Sequence, residues 1–216
     1  MTIKNDNDLY LPRRGEVLQF FPSPGLITKY PDTIEEEFEF IQNLEYAEYD
    51  GENGNSQTRD TYLLKHKKLS KIKDFIYESL NKFTVGIWKT KQKLIITQSW
   101  CNMNLPNTEH PVHHHANSIV SGVFYFKQDA TMPPIQFSRV DRQSLMLKTE
   151  EYNIFNSQQI MFPMVDGELI MFPSNIWHAV LPNKSKNPRY SMSFNTFANE
   201  LGWQENFTYL NTNEIL

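Results

Sequence analysis

Three histidines stand in a row at His113, His114 and His115, with His110 just ahead and a strand-like run, SIVSGVFYF, just behind. On an extended chain, residues i and i+2 project to the same side. His113 and His115 would then aim two imidazoles at one point while His114 faces away. Imidazole suits iron, copper, zinc or nickel, and two rings make half of a metal site. The bland alternative is a solvated, histidine-rich turn. A third ligand is available in GELIMFPSNIWHAVLPN, where His178 follows an apolar strand and a Pro-Ser-Asn turn. The other histidines are His66, within the basic run KHKK at Lys65 to Lys68, and His110, before a proline in the leading loop. A paired H-x-H and a distant histidine weigh more together than apart, because a jelly roll brings such strand ends to one mouth.

A redox metal with open coordination positions leaves room for dioxygen and a cosubstrate. An acidic cosubstrate needs a cationic anchor. Arg189 opens RYSMSFNTF, the next strand after His178, and its planar fork matches a carboxylate in bidentate fashion. Ser191 shares its face and offers a second hydrogen bond. The competing reading puts Arg189 at an exposed strand start, paired with a surface carboxylate. Glu109 and Asp141 are alternative metal ligands without a recommending strand spacing. Trp100, Trp177 and Phe194 are candidates either for the cavity wall or for the core.

The elements that must position these groups fall into two zones. PDTIEEEFEFIQNLEY reads as a helix, with Asp32 or Thr33 as its N-cap and Thr33 to Glu36 as a capping box. A second begins near Ser70, with Ile72, Phe75, Ile76, Leu80 and Phe83 in helical register, and extends toward Trp88. YDGENGNSQTRD between them reads as a loop. After residue 90 the period changes to two. KLIITQSW, SIVSGVFYF, PPIQFSRV, SLMLKT, QQIMFPMV, GELIMFPS and RYSMSFNTF form about seven or eight strands without a helix between them, which predicts a sandwich or barrel. The expected organisation is one domain over 1–216: a helical part over about 1–90, a β core over about 91–200 and a tail over about 201–216.

Composition narrows the function classes. The 21 basic and 25 acidic residues give a net charge of −4, no footprint for nucleic acid. The single cysteine, Cys101, excludes an internal disulfide and points to a reducing, intracellular setting. The N-terminus lacks an apolar signal core, and no apolar run approaches the ~20 residues of a membrane span. The expectation is a soluble, cytoplasmic protein with a small-molecule or protein substrate, no membrane partner and, through its apolar helices, a homodimer as one option.

His-x-His, NSIVSGVFYF, GELIMFPSNIWHAV and RYSMSFNTF together resemble the 2-oxoglutarate/Fe(II)-dependent oxygenases, in the branch common in bacteria and marine phages. The resemblance runs from about Ser99 to Phe197. It implies a mainly β double-stranded β-helix, or jelly roll, with N-terminal helices packed on one sheet. It also implies Fe(II) held by His113, His115 and His178, and 2-oxoglutarate held at its far carboxylate by Arg189 and Ser191. Tyr125 and Asn102 match the family's further cosubstrate contacts, with Phe124 the alternative to Tyr125 on the inner face. One departure is chemical: the wider superfamily carries a carboxylate where this chain has His115. The implied activity is a hydroxylase-type dioxygenase releasing succinate and CO2 in the cytoplasm of a bacterial or phage-infected cell. The rivals are a cupin-like three-histidine dioxygenase without 2-oxoglutarate, and a non-catalytic jelly-roll binding module.

Overall fold

The computed structural model describes residues 15, 17, 19, 21–48, 54–139, 148–202 and 209–212. Two antiparallel sheets dominate. The larger has seven strands in the order β1 (Leu26–Lys29), β9 (Glu168–Pro173), β6 (Val120–Lys127), β11 (Arg189–Ala198), β4 (Leu94–Asn104), β3 (Ser56–Thr58) and β2 (Tyr46–Glu48). The smaller has four: β5 (His110–His113), β10 (Trp177–Val180), β7 (Ile135–Ser138) and β8 (Gln159–Phe162). A separate pair, β12 (Glu200–Leu201) and β13 (Leu210–Asn211), follows the core. From β4 onward the chain passes repeatedly between the two main sheets, as in a double-stranded β-helix.

The alternation in β6 and β11 sorts side chains between two hydrophobic layers. Phe124, Phe126, Met192 and Phe194 point to the outer face of the large sheet. There they meet Ile41 of α1 (Glu35–Gln42) and Ile72, Phe75, Ile76 and Leu80 of α2 (Ser70–Asn81). Edge-on ring contacts tie the layers: Tyr30 to Phe75 at 5.3 Å and Phe38 to Tyr190 at 5.4 Å between centroids. Val123, Tyr125, Ile170 and Phe172 point the other way, into the space between the sheets. Phe194 lies over Gly122 so closely that a Cβ there would overlap its ring.

Several elements depart from the sequence reading. Helix α1 begins one turn-residue later than the capping motif implies: its N-cap is Ile34, with no side-chain cap hydrogen bond. The Thr33 hydroxyl instead bonds the Glu35 carboxylate and lowers its pKa, behind the larger effect of Glu35's own backbone N–H. The three acidic residues of the first turn still suit the helix dipole. The predicted loop after α1 contains β3, whose polar Ser-Gln-Thr sequence carries no apolar alternation. The N-terminal part thus adds β1, β2 and β3 to the large sheet besides supplying the helices. Helix α2 ends in a π-helical turn, Lys82–Ile87. The SLMLKT strand falls on residues 144–147, outside the described residues, and on Lys148 and Thr149, which are not in a strand.

Candidate active site

His113 is the last residue of β5, and its cross-strand partner on β10 is His178. Directly opposed residues share a face, so the two rings meet with centroids 4.3 Å apart. His178 therefore sits inside a strand, not in the turn that precedes it. His115 lies beyond the end of β5, so the H-x-H pair is not carried on one strand as expected. Its backbone N–H donates to Ser174 O at 2.9 Å, which draws it in against the large sheet. Its ring stacks on Trp100 (5.7 Å, 26°) and stands 5.3 Å from His113 and 5.0 Å from His178.

Each ring has its Nδ1 occupied. His113 Nδ1 donates to Pro111 O at 2.8 Å and His178 Nδ1 to Ile176 O at 3.0 Å. A carbonyl only accepts, so both rings carry a proton on Nδ1, and Nε2 is the atom each can offer a metal when neutral. His115 Nδ1 meets Asn195 Oδ1 at 2.5 Å. Ligand atoms of the three residues lie within 4.8 Å of one another, and the Nε2 atoms of His115 and His178 are 3.2 Å apart. Two nitrogens each about 2.1 Å from one ion and at right angles would stand about 3.0 Å apart. Burial lowers the His178 pKa well below the usual range, helped by the His113 ring. Burial also lowers His115 to about 4, against the opposing pull of the Asn195 hydrogen bond. Three converging imidazoles, with His115 and His178 kept neutral by burial, fit a divalent metal ion.

The two neighbouring histidines are placed differently. His114 turns outward and packs edge-on against Trp177 at 4.7 Å. His110 stacks on His113 at 4.2 Å, and burial pushes it down to about 3. His110 lies outside the three-residue cluster that could hold a metal. Glu109 is exposed and outside that cluster too, and Asp141 lies outside the described residues. Of the three aromatic candidates, Trp100 walls the site, Trp177 stands at the surface and Phe194 belongs to the helix-facing core.

A row of polar side chains crosses the large sheet beside the histidines. Ser191 on β11 has Asn102 on β4 and Tyr125 on β6 as its cross-strand partners, and Arg189 has Asn104. All five line one narrow cavity that also reaches His113 and His178. The inner-face residue of β6 is thus Tyr125, with Phe124 in the outer core. Arg189 is 1% exposed, against the reading that placed it at an exposed strand start. Its Nη1 donates to Asn104 Oδ1 and Ser191 Oγ, both at 3.3 Å, and its guanidinium carbon sits 5.0 Å from the Tyr125 ring centroid. Among the described residues no ion pair reaches it, and its Nε and the Tyr125 hydroxyl lack hydrogen-bond partners. The phenol influences the guanidinium without meeting hydrogen-bond geometry. Burial lowers the Arg189 pKa and raises Tyr125 to about 12, with Arg189 opposing the latter. A buried cation without a counter-charge costs several kcal/mol; a carboxylate entering this cavity would remove that cost.

Asn102 is already engaged: its Nδ2 donates to Ser193 Oγ and its Oδ1 accepts from Asn55 Nδ2, each at 2.9 Å. The sequence reading gave neither Asn104 nor Asn195 a role in the site. Parity would have found them, since Asn104 alternates with Asn102 and Asn195 with Arg189, Ser191 and Ser193. Two further openings flank this region. One, about 420 Å³, is lined by Gln57, Trp100, His113, His115 and Asn195. The other, about 390 Å³ and mainly apolar, lies beyond Phe137 and Phe172, whose rings stand 6.0 and 4.7 Å from that of His178.

Residues 98–195 match the sequence model of a family described as "Putative 2OG-Fe(II) oxygenase". That segment holds the three histidines and the Arg189 row. Solved structures share the fold. A 2OG-Fe(II) oxygenase family oxidoreductase from Burkholderia pseudomallei is 12% identical, with TM-score 0.56 over 80% of this chain and 83% of that one. A prolyl-4-hydroxylase from Pseudomonas putida is 13% identical, with TM-score 0.58 over 80% and 91%. HygX from Streptomyces hygroscopicus, with nickel, 2-oxoglutarate and hygromycin B bound, is 9% identical, with TM-score 0.58 over 81% and 82%. No curated protein sequence matches the chain closely.

Proposed function

We propose that this protein is an Fe(II)- and 2-oxoglutarate-dependent dioxygenase that hydroxylates an organic substrate. The observation that carries the reading is the pairing of two incomplete sites across one cavity. Three imidazoles converge on one side, and a buried guanidinium that no ion pair reaches among the described residues waits on the other. A dicarboxylate with a keto group satisfies both at once. His113, His115 and His178 would hold the iron through Nε2. Arg189 and Ser191 would bind the far carboxylate of 2-oxoglutarate, and the unpartnered Tyr125 hydroxyl would donate a further hydrogen bond. Asn102, with both amide groups engaged, shapes the wall and holds Ser193 in place. The metal and cosubstrate of HygX support the same ligand pair here.

Bound iron supplies the redox chemistry, in which dioxygen and 2-oxoglutarate give succinate and CO2 and one oxygen atom passes to the substrate. The chain's own work is placement. Backbone carbonyls fix two ligand rings, Asn195 fixes the third, and the apolar walls of Val123, Ile135 and Phe172 exclude water. Three imidazole ligands would leave the ferrous charge uncompensated, and a dianionic cosubstrate would offset it. The buried single cysteine and the lack, among the described residues, of a helix able to cross a membrane support a cytoplasmic setting.

The test is succinate formation with oxygen uptake on addition of Fe(II) and 2-oxoglutarate, wild type against Arg189→Ala. The expected result is turnover that Arg189→Ala loses. Oxygen consumption without succinate, unchanged in the variant, would assign a three-histidine dioxygenase that uses no 2-oxoglutarate.

A further inference from the structure

The three rings are not held alike. His113 and His178 bond carbonyls two residues earlier on their own backbone, so no substitution elsewhere alters their acceptors. His115 is held by a side chain from another strand, Asn195 on β11. The Asn195 oxygen also accepts from Ser121 Oγ at 2.9 Å. Ser121 Oγ in turn lies 2.8 Å from Ser174 Oγ, which donates to Ser118 Oγ at 2.7 Å. Ser118 Oγ receives the Thr196 N–H at 3.1 Å. Ser121 and Ser174 are buried, at 0% and 1% exposure. The hydroxyl chain therefore braces the amide from behind with its oxygen toward the imidazole.

We propose that Asn195 is a positioning residue that sets how strongly His115 binds a divalent metal. Its amide oxygen fixes the Nδ1–H tautomer and aims Nε2 inward, while its lack of charge keeps His115 a neutral ligand. This rests on the reading of the three histidines as metal ligands. Groups that accept a ligand histidine's second N–H raise its basicity as well as orient it. Asn195→Asp keeps the acceptor oxygen and adds a negative charge beside the ring. Asn195→Ala removes the acceptor and frees both tautomer and ring angle.

The experiment is titration of the full chain with Co(II) alone, without 2-oxoglutarate or substrate, following the visible bands of the bound ion. Asn195→Ala is expected to weaken Co(II) binding about 10- to 100-fold. Asn195→Asp is expected to bind more tightly than wild type and with shifted bands, and Ser121→Ala to fall between wild type and Asn195→Ala. Circular dichroism confirms that each variant is folded; if Asn195→Ala is not, Asn195→Asp against wild type decides. A purely structural role would lower the melting temperature and leave the dissociation constant and bands of the folded protein unchanged, which would overturn the proposal. So would Asn195→Asp binding as weakly as Asn195→Ala. Wild type that binds no Co(II) would overturn the metal reading itself, whereas tight wild-type binding indifferent to residue 195 removes only this inference.

Discussion

His113 and His178 are cross-strand partners on β5 and β10, so the smaller sheet alone brings two of the proposed ligand rings to a centroid separation of 4.3 Å. The third ring, His115, comes from outside that ladder and is anchored to the larger sheet through Ser174 and Asn195. The proposed metal centre thus joins the two sheets. His113→Ala or His178→Ala should weaken divalent metal binding by more than about 100-fold, beyond what loss of a supporting hydrogen bond costs. His114→Ala, which removes an exposed ring packed on Trp177, should leave it within about 2-fold. Calorimetric titration with Ni(II) checks both, and loss of binding in His114→Ala with retention in His178→Ala would reverse the assignment.

Arg189 separates stability from binding. Its burial, with no ion pair among the described residues, costs the fold stability, and an apolar side chain of similar length relieves that cost. Arg189→Met should therefore melt at or above the wild-type temperature in the absence of 2-oxoglutarate. A charge-assisted hydrogen bond is worth about 1.5–3 kcal/mol, so its 2-oxoglutarate affinity should fall by about 10- to 150-fold. Saturating 2-oxoglutarate with Ni(II) should raise the wild-type melting temperature and leave the variant's nearly still. A strongly destabilised variant with unchanged cosubstrate affinity would mean that Arg189 serves the fold alone.

Gly122 answers to Phe194. An added Cβ meets that ring and the Met171 side chain, and both belong to the core under the helices. Gly122→Ala should cost about 1–3 kcal/mol by overpacking, read from the urea midpoint. Phe194→Leu in the same chain should recover part of the loss. Equal midpoints for wild type and Gly122→Ala would show that the ring has room to move.

Cys101 should be chemically silent in the folded protein. It is fully buried, and burial pushes its thiol up to about 12 despite the opposing influence of Tyr46. A raised thiol pKa means that the reactive thiolate is scarce at every ordinary pH. A disulfide reagent at pH 8 should label the native chain only at the rate of unfolding, and the urea-unfolded chain at once. Rapid stoichiometric labelling of native protein would contradict this burial.

Much of this arrangement was legible in the chain because alternation survives wherever a strand separates two unlike layers. RYSMSFNTF shows it fully: Tyr190, Met192 and Phe194 face the helices, and Arg189, Ser191, Ser193 and Asn195 face the cavity. The charge of Arg189 among apolar neighbours marked it for a ligand. Less legible were β3, whose residues are polar, and β10, whose four residues follow a turn too closely to show a period. The facing of Tyr125 could not be read because β6 is buried on both faces and so shows no polar alternation. His113 and His115 converge as parity suggests, yet by another route. The strand ends at His113, and it is the hold of Ser174 and Asn195 on His115 that completes the convergence.

The joint site of three histidines and Arg189 is tested most directly by anaerobic titration of the Fe(II)-loaded protein with 2-oxoglutarate, followed by visible absorption. The account predicts a weak metal-to-ligand band that requires both additions, vanishes in His178→Ala and needs far more 2-oxoglutarate in Arg189→Met. A protein that binds Fe(II), remains folded and shows no band at any 2-oxoglutarate concentration would contradict it.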